Sequence, residues 1–318
     1  MPWAITLLTA GLLLLWKGAD VLVQGAVAIA ERLGVSHLVV GLTVVAMGTS
    51  APEAAASIAA VIDGRGDIAV GNVYGSNIAN LALVGGVVAL ISPLQVQART
   101  LRREVPTMLI VLLLLWPALR NLNLSRWEGL TLLVVFAGLL AYTVLAAKAG
   151  AAPQVPASHP HSPPAGRSLA KDSLQVLAGL AALTLGARMA VNGAVTIGTR
   201  IGLSDAVIGS TIMAVGTSLP ELVTCVIAAL KGHHDISVGN LVGSNIFNTL
   251  LVTGMAGTVR PFLVSRRFAG GIDFWIMVGV GALFTAAALL GRRVIGRLGG
   301  LLLLAVYVGY LIYLLALT

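Results

Sequence analysis

Gly48-Thr49-Ser50-Ala51-Pro52-Glu53 returns further along the chain as Gly216-Thr217-Ser218-Leu219-Pro220-Glu221. The spacing is 221 − 53 = 168 residues. The same offset carries Gly25-Ala26-Val27 onto Gly193-Ala194-Val195, Asp67 onto Asp235, and Gly71-Asn72 onto Gly239-Asn240. It carries Gly75-Ser76-Asn77-Ile78 onto Gly243-Ser244-Asn245-Ile246, Asn80 onto Asn248, and Pro93 onto Pro261. A register held this long is the mark of an internal duplication.

What surrounds the two copies is apolar. Of 318 residues, 58% are hydrophobic and 10% charged, with a mean hydropathy of +0.96. Soluble chains are about half apolar and about a quarter charged. This chain lacks the polar surface that water would demand, so lipid is its solvent. Ten apolar segments approach the roughly 20 residues a spanning helix needs: 3–30, 36–62, 68–91, 105–119, 127–147, 169–198, 204–230, 236–259, 271–291 and 294–316, the fourth being short. The first has no basic leader and continues past Lys17 to Ala30, so it reads as a helix and not as a signal peptide. Residues 149–168, AGAAPQVPASHPHSPPAGRS, are rich in Pro, Ser and Ala and read as a linker, with His159 and His161 solvated inside it. The chain therefore divides into a first repeat, 1–148, with its motif at 41–85, the linker, and a second repeat, 169–318, with its motif at 209–254. Five helices per repeat is an odd number, so the second enters the bilayer from the opposite side. The expected fold is an all-α integral membrane protein of ten transmembrane helices, built as two inverted five-helix repeats.

The formal charge of +8 does not point to nucleic acid, because the cations sit in short clusters between apolar runs, such as Arg99, Arg102 and Arg103, or Arg292, Arg293 and Arg297. With the N-terminus outside, inner loops carry eleven Lys and Arg and outer loops seven. That majority predicts a multi-pass protein of the cell membrane with an external N-terminus and a cytoplasmic linker. The one cysteine, Cys225, lies in an apolar run and reads as a small buried residue, which leaves no intrachain disulfide and no thiolate metal cluster.

Glu53 and Glu221 lie in the middle of apolar segments. An intramembrane carboxylate costs about 2.5–3.5 kcal/mol even on lenient scales and so marks function. An inverted repeat brings the two toward one point, where they repel unless a proton or a cation lies between them. Pro52 and Pro220 lack an amide hydrogen and, with Gly48 and Gly216, break each helix at membrane depth, which is tolerated where it lines a cavity. Carbonyls around Ala46 and Ala214 are expected to be freed, and Thr49, Ser50, Thr217 and Ser218 add hydroxyls. Calcium takes about six to eight oxygens, and this set offers oxygens and almost nothing softer. A competing reading is local: Ser50-x-x-Glu53 and Ser218-x-x-Glu221 both spell a helix capping box. Their symmetric placement inside apolar segments favours the cation site, and the two readings can coexist.

Asn72, Ser76 and Asn80 fall at i, i+4 and i+8, and Asn240, Ser244 and Asn248 repeat the pattern. Their amides and hydroxyls are neutral ligands for sodium or calcium, or else glue between helices. Asn72 and Asn240 are evenly divided between these readings, whereas Ser76, Asn80, Ser244 and Asn248 read as ligands. Asp67 and Asp235 precede helices and read as N-caps. Asp20 and Arg188 are equivalent under the offset, and if the first and sixth helices pack together they could form a buried ion pair.

Paired GTSxPE motifs, each followed by GNxxGSNIxN, resemble the two repeats of the calcium/cation antiporter superfamily, and most of all its prokaryotic sodium/calcium exchanger branch. The resemblance spans both halves. It implies ten helices as five plus five inverted, sites between helices two, three, seven and eight, and sliding of helices one and six to alternate access. Carried over by position, it implies a central calcium site of Glu53 and Glu221 with Ala46, Thr49, Ala214 and Thr217. It implies flanking sodium sites at Ser50, Ser76, Ser218 and Ser244. There is one departure: many such exchangers have Asp where this chain has Asn248, opposite Asn80. The site is one titratable carboxylate short, which touches the counter-ion and the stoichiometry.

The leading expectation is an antiporter exchanging Ca2+ for Na+, with a Ca2+/H+ antiporter as the alternative and a passive cation channel as an alternative of another class. Intramembrane enzyme chemistry is disfavoured, since no Ser-His or zinc set accompanies the carboxylates. Transported Ca2+ and Na+, with H+ possible, replace any cofactor. The expected partners are these inorganic cations and the lipid bilayer, with no nucleic acid. The sequence is silent on oligomeric state and is compatible with a monomer.

Overall fold

Proline and glycine punctuate the chain from its first turn. A computed structural model describes residues 1–149, 168–202, 212 and 214–316. The linker at 149–168 thus lies almost wholly outside the described residues, as do 203–208 and, within the second motif, 209–211 and 213. Helix α1 (Pro2–Leu33) starts on Pro2, where a missing amide hydrogen is harmless, and stops at Gly34 in the left-handed region. α2 (His37–Thr49) and α3 (Ala51–Ile62) form one apolar stretch bent by 44°. α4 (Gly66–Ile91), the short α5 (Ala98–Arg102), α6 (Glu104–Leu119) and α7 (Arg126–Ala149) follow. After the linker come α8 (Leu169–Arg200), α9 (Ala214–Thr217), α10 (Leu219–Leu230), α11 (234–259), α12 (Ile272–Leu290) and α13 (Arg297–Ala316).

Six of these, α1, α4, α7, α8, α12 and α13, are long and apolar enough to cross a membrane, and the bent α2–α3 pair is a seventh if it counts as one span. α6 and α10 fall short with 16 and 12 residues. α11 is long, but its middle is buried Asn240, Ser244, Asn245 and Asn248, which dilutes its apolar signal.

α1 and α8, 32 residues each, pack antiparallel along a glycine seam. A Cβ at Gly11 would meet Ala190, one at Gly18 would meet Leu183, and one at Gly25 would meet Val176. Only a residue without a Cβ lets the backbones come this close. Contacting residue numbers along the seam sum to 201, so Asp20 lies level with residue 181. Arg188 is seven residues away from that level, about 10 Å along the helix. The expected Asp20–Arg188 pair is therefore absent: Asp20 instead makes an ion pair with Lys231 and accepts a hydrogen bond from Gln24, and Arg188 is exposed. Antiparallel packing sends equivalent positions of the two helices toward opposite ends.

Several other contacts between the halves are reciprocal. Strand β1 (Leu94–Gln95) pairs with β4 (Val294–Ile295), and β2 (Asn123–Leu124) pairs with β3 (Phe262–Leu263). The offset maps β1 onto β3. Asp67 accepts from the Ser265 amide at 2.7 Å, and Asp235 accepts from Gln97 Nε2 at 2.6 Å, where Gln97 and Ser265 are themselves equivalents. Asp67 and Asp235 are thus not N-caps, since Arg65 and His233 hold those positions; each carboxylate reaches to a loop of the other half. Gly86 packs against Gly300 and Leu304, as Gly254 does against Gly129 and Leu133. These contacts sort the loops into two faces. One bears 34–36, 92–103, 231–233, 291–296 and the residues flanking the linker, 149 and 168, and is called the linker face below. The other bears 63–65, 120–125, 260–271 and the chain termini.

Candidate cation-binding site

Pro52 occupies the first turn of α3 and Pro220 the first turn of α10. Neither can donate to the carbonyl four residues back, so each helix restarts there, with Ser50 and Ser218 at the joints. Glu53 and Glu221 follow in the first turn, each 1% exposed. The positive end of a restarting helix suits a carboxylate.

The capping-box reading can be tested against a true box in the same chain. At the start of α7, the Glu128 amide donates to Ser125 Oγ at 3.3 Å and the Ser125 amide donates to Glu128 Oε2 at 2.8 Å. At Ser50 and Ser218 no such side-chain cap forms. Ser50 Oγ crosses to the other half and donates to Glu221 Oε1 at 3.0 Å. Among the described residues, Glu221 Oε2 and both oxygens of Glu53 have no hydrogen-bond partner. Buried polar atoms are rarely left without partners, and carboxylate oxygens are the least tolerant of it.

The neighbouring oxygens come from both halves. The Thr49 hydroxyl lies 3.4 Å from the Ala46 carbonyl and 3.2 Å from Asn240 Oδ1, and Ser244 Oγ donates to that same Oδ1 at 3.4 Å. The Ala46 carbonyl is not wholly freed, because it also accepts the Ser50 amide at 3.1 Å; the carbonyl that Pro52 disengages is that of Gly48. In the second half the Ser218 amide turns to the Val215 carbonyl, 3.1 Å away. Ala214 opens α9. Thr217 is half-buried beside Ser218, whose hydroxyl is buried without a partner. Ser76 is buried on α4.

Asn80 and Asn248 lie in π-helical turns, Ala79–Val84 and Asn248–Val252, and both amide groups are buried without partners among the described residues. The turns pack reciprocally, the first against α10 and the second against α3. A π turn widens the helix and is common at functional sites. No residue pattern in the sequence announces it.

Asn72 and Asn240 have a structural part. Asn72 Nδ2 donates to the Glu53 carbonyl at 3.1 Å and to Ser57 Oγ at 2.9 Å, while Asn240 Nδ2 lies 3.3 Å from Cys225 Sγ. They fasten α4 to α3 and α11 to α10. Cys225 is buried, as the sequence reading expects, but its contact with Asn240 was not anticipated, nor was Ser57, although the offset maps one onto the other (225 − 57 = 168). Among the described residues no cluster of three or more His, Cys, Asp or Glu gathers as a metal site. Two carboxylates amid neutral oxygens suit a hard cation passing through, not one held by nitrogen or sulfur.

The family model described as sodium/calcium exchanger protein matches residues 3–145 and 173–316. CaxA of Alkalimonas amylolytica is 41% identical over 307 residues, covering 94% of this chain and 95% of that protein. The sodium/calcium exchanger MaX1 of Methanosarcina acetivorans is 34% identical over 347 residues, covering 97% of each. The solved structure of the sodium/calcium exchanger from Methanococcus jannaschii superposes with a TM-score of 0.82 at 30% identity, covering 96% of each chain.

Proposed function

The chain belongs to the sodium/calcium exchanger protein family, whose members are cation-exchanging membrane antiporters and not enzymes, and on that premise we propose that it exchanges Ca2+ for Na+ by alternating access. The cation binds between Glu53 and Glu221. Thr49, Ser50, Thr217, Ser218, the Ala46 and Ala214 carbonyls, and Ser76, Asn80, Ser244 and Asn248 supply the neutral oxygens. Family membership sets aside the passive channel.

One observation carries the ion assignment: among the described residues three of the four carboxylate oxygens of this buried pair have no partner, and the fourth is held by Ser50 of the other half. Two buried negative charges are what one divalent cation, or two sodium ions, neutralises. Left uncompensated at membrane depth, they cost about 3 kcal/mol each. A penalty of about 6 kcal/mol suppresses a conformational population by roughly 10⁴-fold. An empty carrier therefore does not switch, and exchange prevails over leak. The reciprocal contacts between the halves support two inverted five-helix repeats, ten spans in all, divided at the 149–168 linker.

A second reading, Ca2+/H+ exchange, is favoured by Asn80 and Asn248. Both are buried amides where a third carboxylate would add charge for extra sodium. Reconstitution decides between them. Sodium-loaded liposomes diluted into sodium-free buffer should take up radioactive calcium, and Glu53→Gln should abolish that uptake. Uptake driven by a proton gradient alone would move the protein to the second reading.

A further inference from the structure

The offset of 168 residues, applied to the one ion pair that joins α1 to the end of α10, gives a second pair with both charges reversed. Asp20 on α1 bonds Lys231, which ends α10 at the linker face. The equivalent of Asp20 is Arg188 on α8 (188 − 20 = 168), and the equivalent of Lys231 is Asp63, which ends α3 at the opposite face (231 − 63 = 168). Reversal at one position alone would have made the second pair repulsive. Reversal at both keeps it attractive. The long cationic arm also changes ends, from the loop in the first pair to the helix in the second, so the reach is kept. Among the described residues Arg188 and Asp63 make no ion pair, and both are exposed.

The packing is asymmetric in the same sense. On α10, Thr224 and Ile227 are buried, and Ile227 shares an apolar cluster with Ala19, Leu22, Val23 and Ala26 of α1. Their equivalents on α3, Ala56 and Ala59, are exposed. α8 lies along Ala46–Thr49 but makes no comparable packing with α3 among the described residues. α1 and α8 are one body, closed along the glycine seam and tied at the linker face by Arg32 Nε to Asp172 Oδ2 at 2.8 Å. In an inverted-repeat carrier the second access state is the first with the repeats exchanging roles, so each contact of one state names a contact of the other.

We propose that Asp20–Lys231 and Asp63–Arg188 are alternating latches. The first holds the α1–α8 body against α10 in the state described here. The second closes when that body covers Ala56 and Ala59 of α3. The inference rests on the antiport reading only in requiring two access states. Each latch is partly exposed, as Lys231 and Asp20 are 33% and 30% exposed. Each therefore biases an equilibrium without locking it.

The test uses two double-cysteine variants of the full chain in liposomes, Asp20→Cys with Lys231→Cys and Asp63→Cys with Arg188→Cys. Cys225 is fully buried and stays in place. A short rigid bismaleimide replaces a disulfide, because residues joined by an ion pair between long side chains lie beyond disulfide reach. Both pairs straddle the linker, so a protease site engineered there leaves one band where a cross-link has formed and two where it has not. The expected result is one band for both pairs, with exchange lost in the cross-linked fraction. Joining of the 20/231 pair alone, in liposomes where 63/188 stays separate, overturns the proposal. In a second arm, Arg188→Gln should slow exchange about two- to five-fold. The swap Asp63→Arg with Arg188→Asp should restore it, and a swap as slow as the single variant also overturns the proposal. Liposomes that exchange neither sodium nor calcium would refute the ion assignment, while the cross-links would still decide the latches.

Discussion

Ser50 and Ser125 both stand three residues before a glutamate, yet only Ser125 caps its helix. The difference is what else is within reach. Ser125 opens α7 at the membrane surface, where its own helix offers the nearest partner. Ser50 sits at a joint facing the second half, where Glu221 needs a donor. Glu53, Glu221 and the hydroxyls beside them were legible as charge and polarity inside apolar runs, and the structure places Ser50 against Glu221. The parts played by Ser57 and Cys225 were not legible, because a lone cysteine among apolar residues reads as filler until a partner amide is seen beside it. Asn248 is the residue where the chain departs from the exchangers it resembles. In Asn248→Asp the introduced carboxylate would add a third negative charge near the pair. It would hold a proton at low pH, since its neighbours disfavour ionisation. Initial rates of sodium-driven calcium uptake should then fall more steeply with decreasing pH in the variant than in the parent. Superimposable profiles from pH 5 to 9 would remove Asn248 from the site.

At the scale of elements, the joints were readable from Gly and Pro and the helices from their apolar length. The π turns at 79–84 and 248–252 were not, since a widened turn needs no special side chain. Nor were the partners of Asp67 and Asp235, because contacts across some two hundred residues leave no local pattern. The glycine seam between α1 and α8 was legible at the repeated Gly25 and Gly193, and the same offset of 168 relates the rest of it. It extends to Gly11, Gly18, Gly179 and Gly186. A Cβ at Gly18 would lie 2.9 Å from the Ala182 Cβ and 2.9 Å from the Leu183 amide nitrogen, and backbone cannot yield as a side-chain tip can. Gly18→Leu should therefore separate the pair and cost about 1–3 kcal/mol. It should be read as a lower melting temperature in detergent together with slowed exchange. Gly309→Ala on α13, where nothing lies within 4 Å of the added carbon, is the matched substitution expected to leave both unchanged.

For the whole molecule, the two faces differ in charge and in closure. Among the described residues the linker face carries the larger share of Lys and Arg, ten against seven. It is also where Arg32–Asp172 ties α1 to α8 and Asp20–Lys231 holds α1 against α10. The opposite face leaves Ala56 and Ala59 of α3 uncovered. If cations are retained inside, as they are in short loops generally, the closed face is cytoplasmic and the chain is caught open to the outside. The orientation was readable only as this majority, because Arg120, Arg126, Arg260, Arg266 and Arg267 weigh against it on the other face. Asn121 and Arg102 are exposed on opposite faces and make the decision simple. In intact cells a membrane-impermeant thiol reagent should label Asn121→Cys and spare Arg102→Cys, with both labelled once the membrane is opened. The reverse pattern would put the closed face outside. The uncovered Ala56 and Ala59 of α3 would then lie on the cytoplasmic side, and with the latches unchanged the state described here would be the one that loads from within.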